Sequence, residues 1–85
     1  MIQVGQIVVT PDAKWEFSED FQESCVARHM TEDRGEEHSL KRELSVEGVF
    51  ASCYSNGQNT LWVLTYPSDQ MTLICTQKEL ERDRK

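Results

Sequence analysis

Three β-rich runs in the last third of the chain, GVFASCY, LWVLTY and MTLICT, limit the fold more than any other feature of the sequence. In each run, large apolar side chains alternate between two faces or follow one another without a break, as is typical of strands. Asn56-Gly57, a strong hairpin signal, separates the first two runs, and a turn beginning at Pro67 separates the second two. The sequence therefore predicts a three-stranded meander over residues 48–76.

The first half of the chain predicts one strand and two helices. Residues 2–10 are rich in β-branched side chains and end at a Pro-Asp turn, which favours a strand. Ser18 is a suitable N-cap for a helix over residues 18–30, because acidic residues follow it and apolar residues recur at helical spacing. A shorter helix is predicted over residues 36–44, and the highly charged residues 77–85 are predicted to form a loose terminal tail.

Together these segments predict a single domain over residues 1–85, since a chain of this length supports one modest core. The predicted fold class is α+β. It consists of a small antiparallel sheet of about four strands, in the order β-α-α-β-β-β, with one or two helices packed on one face.

Charge and apolar patterning limit the partners of such a domain. Fifteen acidic residues stand against nine basic ones, which gives a formal net charge of −6. Nucleic acids and anionic membranes are bound through basic surfaces, so the charge argues against both and favours a protein partner with a basic surface. The absence of a long apolar run in the sequence indicates a cytoplasmic protein. A homodimer, formed through an uncovered sheet face or edge, is a further expectation.

The cysteines and histidines admit two interpretations. Cys25 and His29 stand four residues apart on the predicted helix, where they would face one metal ion, with Asp33, Glu36 or His38 completing the site. The same spacing is also that of a buried helix face, and the chain lacks the usual ligand spacings. We therefore expect free buried cysteines, a packing or capping role for His29, and no metal, cofactor or catalytic residue.

The acidic residues of the first helix supply the candidate binding surface. Their spacing from residue 16 to residue 23 predicts one stripe on a helix, beside an exposed aromatic anchor at Trp15. A second acidic run over residues 32–37 would extend this stripe, although an ordinary solvated helix face would give the same pattern. The predicted partner-binding residues are Trp15, Glu16, Glu19, Asp20, Glu23, Glu32, Asp33, Glu36 and Glu37.

Five segments follow one another in an order that matches a family pattern: VGQIVVTPDA at 4–13, VARHMTEDRG at 26–35, EGVFASCYS at 47–55, LWVLTYPSD at 61–69 and MTLICTQKEL at 71–80. In this order they resemble a small uncharacterised family of plasmid and prophage proteins with the pattern ARHxxGDWG, DGxRxxSxY, WVITE and TTVLLPEEY. Arg34 replaces the Trp of that pattern, and Thr76 replaces a Pro. Some members are labelled type I restriction endonuclease subunit M, but 85 residues are too few for a methyltransferase subunit.

Three hypotheses about function follow. The resemblance implies a mobile-element setting, and together with the charge it favours a non-enzymatic protein that inhibits a host defence nuclease complex of CRISPR or restriction type. The second hypothesis is a regulatory or interaction module of the plasmid or prophage itself, without an inhibitory role. The third is a small metal-dependent or thiol-dependent enzyme that uses Cys25 and His29.

Overall fold

The computed structural model describes residues 2–83, which form four strands and four α-helices. The strands are β1 (Gln6–Val9), β2 (Phe50–Ser55), β3 (Thr60–Tyr66) and β4 (Met71–Thr76). The helices are α1 (Pro11–Glu16), α2 (Glu19–Met30), α3 (Leu40–Val46) and α4 (Gln77–Asp83), and a short 3-10 turn (Pro67–Asp69) joins β3 to β4. The α+β prediction is confirmed.

The four strands form one sheet in the order β1-β4-β3-β2. Strands β2, β3 and β4 are consecutive antiparallel neighbours within the predicted 48–76 segment. Strand β1 instead runs parallel to β4, so the prediction of an antiparallel sheet is wrong at this pair. The chain leaves β1, passes through three helices and enters the sheet again at the opposite edge, and a strand pattern alone does not state which neighbour β1 takes.

Helices cover both faces of the sheet, which corrects the prediction of helices on one face. Leu44 of α3 and Leu80 of α4 pack with Trp62 on one face. Phe17, between α1 and α2, and Cys25 of α2 pack with side chains from the other face, including Leu61, Val63 and Ile74. The physical reason is that both faces of β3 are apolar, and each face needs a layer that excludes water.

The N-terminal helical region is two helices rather than one. Thr10 caps α1, since its hydroxyl accepts from the backbone N–H of Ala13, and Pro11 suits the first helical position. Phe17 is extended and buried, and it ends α1. Ser18 then caps α2 by accepting from the backbone N–H of Phe21 at 3.1 Å, as its sequence context predicts.

The second predicted helix begins later than expected. Residues 36–39 are not helical, because the chain at Gly35 and Glu36 lies along β2, where the N–H of Glu36 donates to the Cys53 carbonyl at 2.9 Å. Lys41 donates its ammonium to the Arg34 carbonyl at 2.7 Å. This contact fixes the beginning of α3 against the segment that borders β2.

The two ends of the chain also differ from the predicted segments. Strand β1 is shorter than the predicted 2–10, and Gly5 before it approaches Gln70 so closely that a Cβ would lie 2.1 Å from the Gln70 carbonyl oxygen. At the other end, residues 77–83 form α4, whose Leu80 is buried; residues 84 and 85 of the predicted tail lie outside the described residues. Among residues 2–83, no helix has the length and apolarity needed to cross a bilayer.

Candidate functional site

Four of the predicted binding residues lie close together at the beginning of α2. Glu16 is the last residue of α1, and Glu19, Asp20 and Glu23 lie on the first part of α2. All four are exposed, and within residues 2–83 none of their carboxylates has an ion-pair partner. We call this group the N-terminal acidic cluster. The predicted single stripe is wrong in one respect, because the break at Phe17 places Glu16 on a different helix.

Trp15 lies beside this cluster and is the most exposed large apolar residue described, with 89% of its surface accessible. The other indole, that of Trp62, is completely buried in the sheet. An exposed tryptophan surrounded by polar residues is typical of an interface anchor. The prediction that Trp15 is exposed is confirmed, whereas its role in binding stays a prediction.

The second acidic run, over residues 32–37, lies at the other end of α2. The part of α2 between Glu23 and its last residue, Met30, separates the two groups by about 10 Å at about 1.5 Å per residue. Asp33 forms an ion pair with Arg28 at 2.7 Å and also accepts from the backbone N–H of Gly35. The hydrogen bond from Arg28, and then that from Gly35, lower the pKa of this carboxyl. Asp33 therefore orders the turn, and the acidic surface consists of two separate groups.

His29 lies in a buried polar chain rather than in an open site. Its ring is inaccessible to solvent, and its Nδ1 and Nε2 lie 2.7 Å from Ser52 Oγ and 2.8 Å from Thr65 Oγ1. Thr65 Oγ1 lies 2.7 Å from Thr72 Oγ1, which donates to the Val4 carbonyl at 2.7 Å. These hydrogen bonds join α2, three strands and the N-terminal segment, which is the arrangement expected of a structural network.

The order of donors along this hydrogen-bond network determines which ring nitrogen of His29 donates. Thr72 uses its single hydroxyl hydrogen on Val4, so Thr65 must donate to Thr72. The Thr65 hydrogen is then used, so Nε2 of His29 must donate to Thr65. Because burial lowers the pKa of His29 to about 4, the ring is neutral at neutral pH, so its one proton is on Nε2 and Nδ1 accepts from Ser52.

The buried imidazole predicts a loss of stability in mild acid. Burial, and then the positive charge of Arg34, lower the pKa of His29 from 6.5 to about 4. The unfolded chain therefore binds more protons between these values, and stability falls as the pH drops from 6.5 to about 4, by up to about 3 kcal/mol. Urea unfolding at a series of pH values measures this loss.

A glutamine at position 29 is the matched control for this titration, because its amide fills part of the space without titrating. Asp33 and Glu79 also have lowered pKa values, but their ordinary values of 3.8 and 4.5 place their effects mostly below the histidine window. If His29→Gln keeps the full loss between pH 6.5 and 4, the assignment to His29 is wrong.

Cys25 and His29, which are four residues apart, do not form an open metal-binding or nucleophilic site. Both ring nitrogens of His29 are used in hydrogen bonds, and Ser52, its nearest hydroxyl, has no exposed surface. Within residues 2–83, no group of three histidine, cysteine or acidic residues is placed to hold a metal ion. Of the residues in the hypothetical metal site, Cys25 and His29 are buried, whereas Asp33 lies on an exposed turn.

The cysteines give a second prediction. Cys25, Cys53 and Cys75 are buried and form no disulfide with one another, as expected. Burial raises the pKa of Cys25 to about 11, against an opposing effect of Arg28, and burial also raises the pKa of Cys53. We expect all three thiols to react slowly with Ellman's reagent in the folded protein and rapidly in denaturant. A thiol that reacts at the unfolded rate under native conditions would favour the thiol-enzyme hypothesis instead.

A groove between β1 and α2 is the feature that sequence reasoning missed. Its volume is about 400 Å³, and it is lined by Ile7, Val9, Glu19, Gln22, Glu23, Val26, Ala27, Met30 and Ile74. Two residues of the N-terminal acidic cluster, Glu19 and Glu23, therefore lie on its wall. The common spacing of these glutamates with Val26 and Met30 was visible in the sequence, but the position of β1 opposite them was not.

Comparison with protein-family models, curated proteins and solved structures finds no significant match to this chain. The resemblance to a plasmid and prophage family therefore stays a prediction.

Proposed function

We propose that this chain is a non-enzymatic inhibitor that binds a basic surface of a host defence nuclease complex of CRISPR or restriction type. The observation that supports the proposal is the N-terminal acidic cluster, four exposed carboxylates without ion-pair partners among residues 2–83, next to the exposed Trp15. Unpaired surface charge of one sign attracts a surface of the opposite sign and accelerates association with it.

The nucleic-acid channels of defence nucleases are basic, so an acidic protein placed there would compete with the nucleic acid. The net charge of −6 adds to this attraction over the whole molecule. Trp15 supplies the apolar contact that charge alone does not, because tryptophan is enriched among the residues that dominate binding energy. Binding of this kind weakens as salt screens the charges.

The test is phage plaquing on hosts that carry defined CRISPR or restriction systems. We expect the wild-type protein to restore plaquing against one such system. The triple variant Glu16→Gln, Glu19→Gln and Glu23→Gln should lose this effect. A control with the same change in charge, Glu43→Gln, Glu47→Gln and Asp69→Asn, replaces exposed carboxylates outside the cluster and should retain it.

The outcomes separate the components of the proposal. If the wild-type protein protects phage against no nuclease-based system, the inhibitor function is wrong, and a regulatory module of the mobile element becomes the better hypothesis. If the triple variant protects as well as wild type, inhibition stands but docking through the N-terminal acidic cluster is wrong. Thermal unfolding of each variant shows that the protein is folded in the assay.

A further inference from the structure

The two edges of the sheet differ in whether the chain covers them. At the β2 edge, the backbone N–H of Cys53 donates to the Arg34 carbonyl at 3.2 Å, and its carbonyl accepts from Glu36 at 2.9 Å. Arg34 Nε also donates to the Ala51 carbonyl at 2.9 Å, and its guanidinium lies over the Phe50 ring. Three outer hydrogen-bonding groups of β2, the N–H and carbonyl of Cys53 and the carbonyl of Ala51, are therefore satisfied within the chain.

The β1 edge is open. The N–H groups of Gln6 and Thr10 donate at 3.0 Å to the carbonyls of Gln70 and Ile74. Every second residue of β1 therefore directs its backbone N–H and C=O groups toward β4. Ile7 and Val9 therefore direct their backbone N–H and C=O groups away from the sheet. Ile7 and Val8 are 44% and 39% exposed, so this edge presents apolar side chains to solvent. An exposed apolar edge of this kind is a template for another strand.

The groove next to this edge has an apolar end and an acidic end. The backbone N–H of Ile2 donates to the Met30 carbonyl, so the end of α2 lies beside the segment that precedes β1. Val26 and Met30 therefore lie toward the beginning of β1, and Glu19 and Glu23 lie toward its end. A strand added beside Ile7 and Val9 would place alternate side chains in this groove.

We infer that the β1 edge and the adjoining groove bind an extended segment of the protein partner as a fifth strand. The segment presents two apolar side chains at alternate positions and a lysine or arginine at the next alternate position, opposite Glu19 and Glu23. This inference rests on the proposed function, and it specifies how the basic partner is recognised. Charge favours this occupant over a second copy of the chain, since a second copy has the same net charge of −6.

The probe is the blocked peptide lysine-threonine-valine-threonine-valine-threonine-lysine, which places both valines and both lysines on one face in either strand direction. Titration followed by amide NMR should shift the signals of Ile7, Val9 and the α2 residues of the groove. Hydrogen exchange at the outward amides of Ile7 and Val9 should slow in the complex. A control peptide with glutamate in place of both lysines should bind at least about tenfold more weakly.

Ile7→Pro is the matched variant, because the Ile7 N–H points away from β4 and its loss removes no bond of the existing sheet. It should abolish the shifts, and unfolding curves show that the variant is folded. Glu19→Gln with Glu23→Gln should instead remove the preference for lysine. No shift in the wild-type spectrum at millimolar peptide would overturn the inference, and so would a dimer that protects the same two amides in the absence of peptide.

Failure of this inference is distinguishable from failure of the proposed function. Peptide binding by the purified protein requires no defence complex, so it stands or fails by itself. If Ile7→Pro protects phage as well as wild type while the Glu16, Glu19 and Glu23 triple variant does not, the inhibitor function stands and the added strand is wrong.

Discussion

His29→Ala is expected to lower the free energy of unfolding by about 3–5 kcal/mol, one of the two largest effects that the structure predicts. The substitution leaves a cavity where an inaccessible ring packs near Phe50. It also removes a hydrogen-bond partner from Ser52 and one of the two partners of Thr65, and both hydroxyls are buried. An unsatisfied buried polar group costs about 1–3 kcal/mol, so the polar loss adds to the cavity. Urea unfolding at neutral pH measures the change.

His29→Gln is the control for the polar part of this effect. Its amide supplies one donor and one acceptor, so it restores some of the hydrogen bonding and should cost less than alanine. If the free energy of unfolding of His29→Ala is within about 1 kcal/mol of wild type, the hydrogen-bonded network around His29 is wrong. A difference that small corresponds to the loss of a single modest contact.

Gly35→Ala is expected to lower the free energy of unfolding by about 3 kcal/mol or more, because two effects add. Gly35 has a φ of +74°, which disfavours any Cβ. A Cβ would also lie 1.9 Å from the Cys53 carbonyl oxygen and 2.7 Å from Cδ1 of Tyr54, so the segment that covers the β2 edge would have to move. Chemical denaturation measures the loss, and near-ultraviolet circular dichroism should report the displaced Tyr54.

Gly57→Ala separates the two causes. Gly57 has a φ of +97°, but no atom lies within 4 Å of the position of a Cβ there. Gly57→Ala should therefore lower the free energy of unfolding only by the cost of a positive φ at a residue with a Cβ, about 1–2 kcal/mol. If both alanine variants lose the same stability, the close approach of Gly35 to β2 contributes nothing.

The local parts of the fold could be predicted from the sequence because their signals are local. Asn56-Gly57 forms the turn of a hairpin, in which Asn56 Oδ1 accepts from the N–H groups of Gln58 and Asn59. Ser18 caps α2 as its side chain and the acids after it indicate. Each of these features depends on residues within a few positions of one another.

The remaining parts of the fold depend on tertiary contacts. The parallel neighbour of β1 is selected by packing across the chain, and a strand pattern is the same for either direction. The glutamates at 36 and 37 favour a helix, yet the hydrogen bonds of Glu36 and Arg34 to β2 prevent the helix from beginning before Leu40. Helix α1 was missed because its Pro11 and Asp12 resemble a turn as well as a helix beginning.

The candidate site was predictable in composition but not in arrangement. The acids near residue 20 and the exposure of Trp15 were visible, since charge and amphipathic spacing are properties of the sequence. The break at Phe17, which places Glu16 on a different helix from Glu19, was not visible, nor was the groove against β1. His29 was correctly placed near the end of the helix, but its hydroxyl partners come from strands 23 and 36 residues away.

An affinity pull-down from the bacterial host tests the central claim, that the protein acts by binding a defence complex through the N-terminal acidic cluster. Wild type, the triple variant of Glu16, Glu19 and Glu23, and the control variant of Glu43, Glu47 and Asp69 are compared by mass spectrometry at low and high salt. We expect wild type and the control to recover subunits of a CRISPR or restriction nuclease at low salt, and the triple variant to lose them. Recovery of the same proteins by all three variants, or of no nuclease by any, would contradict the account.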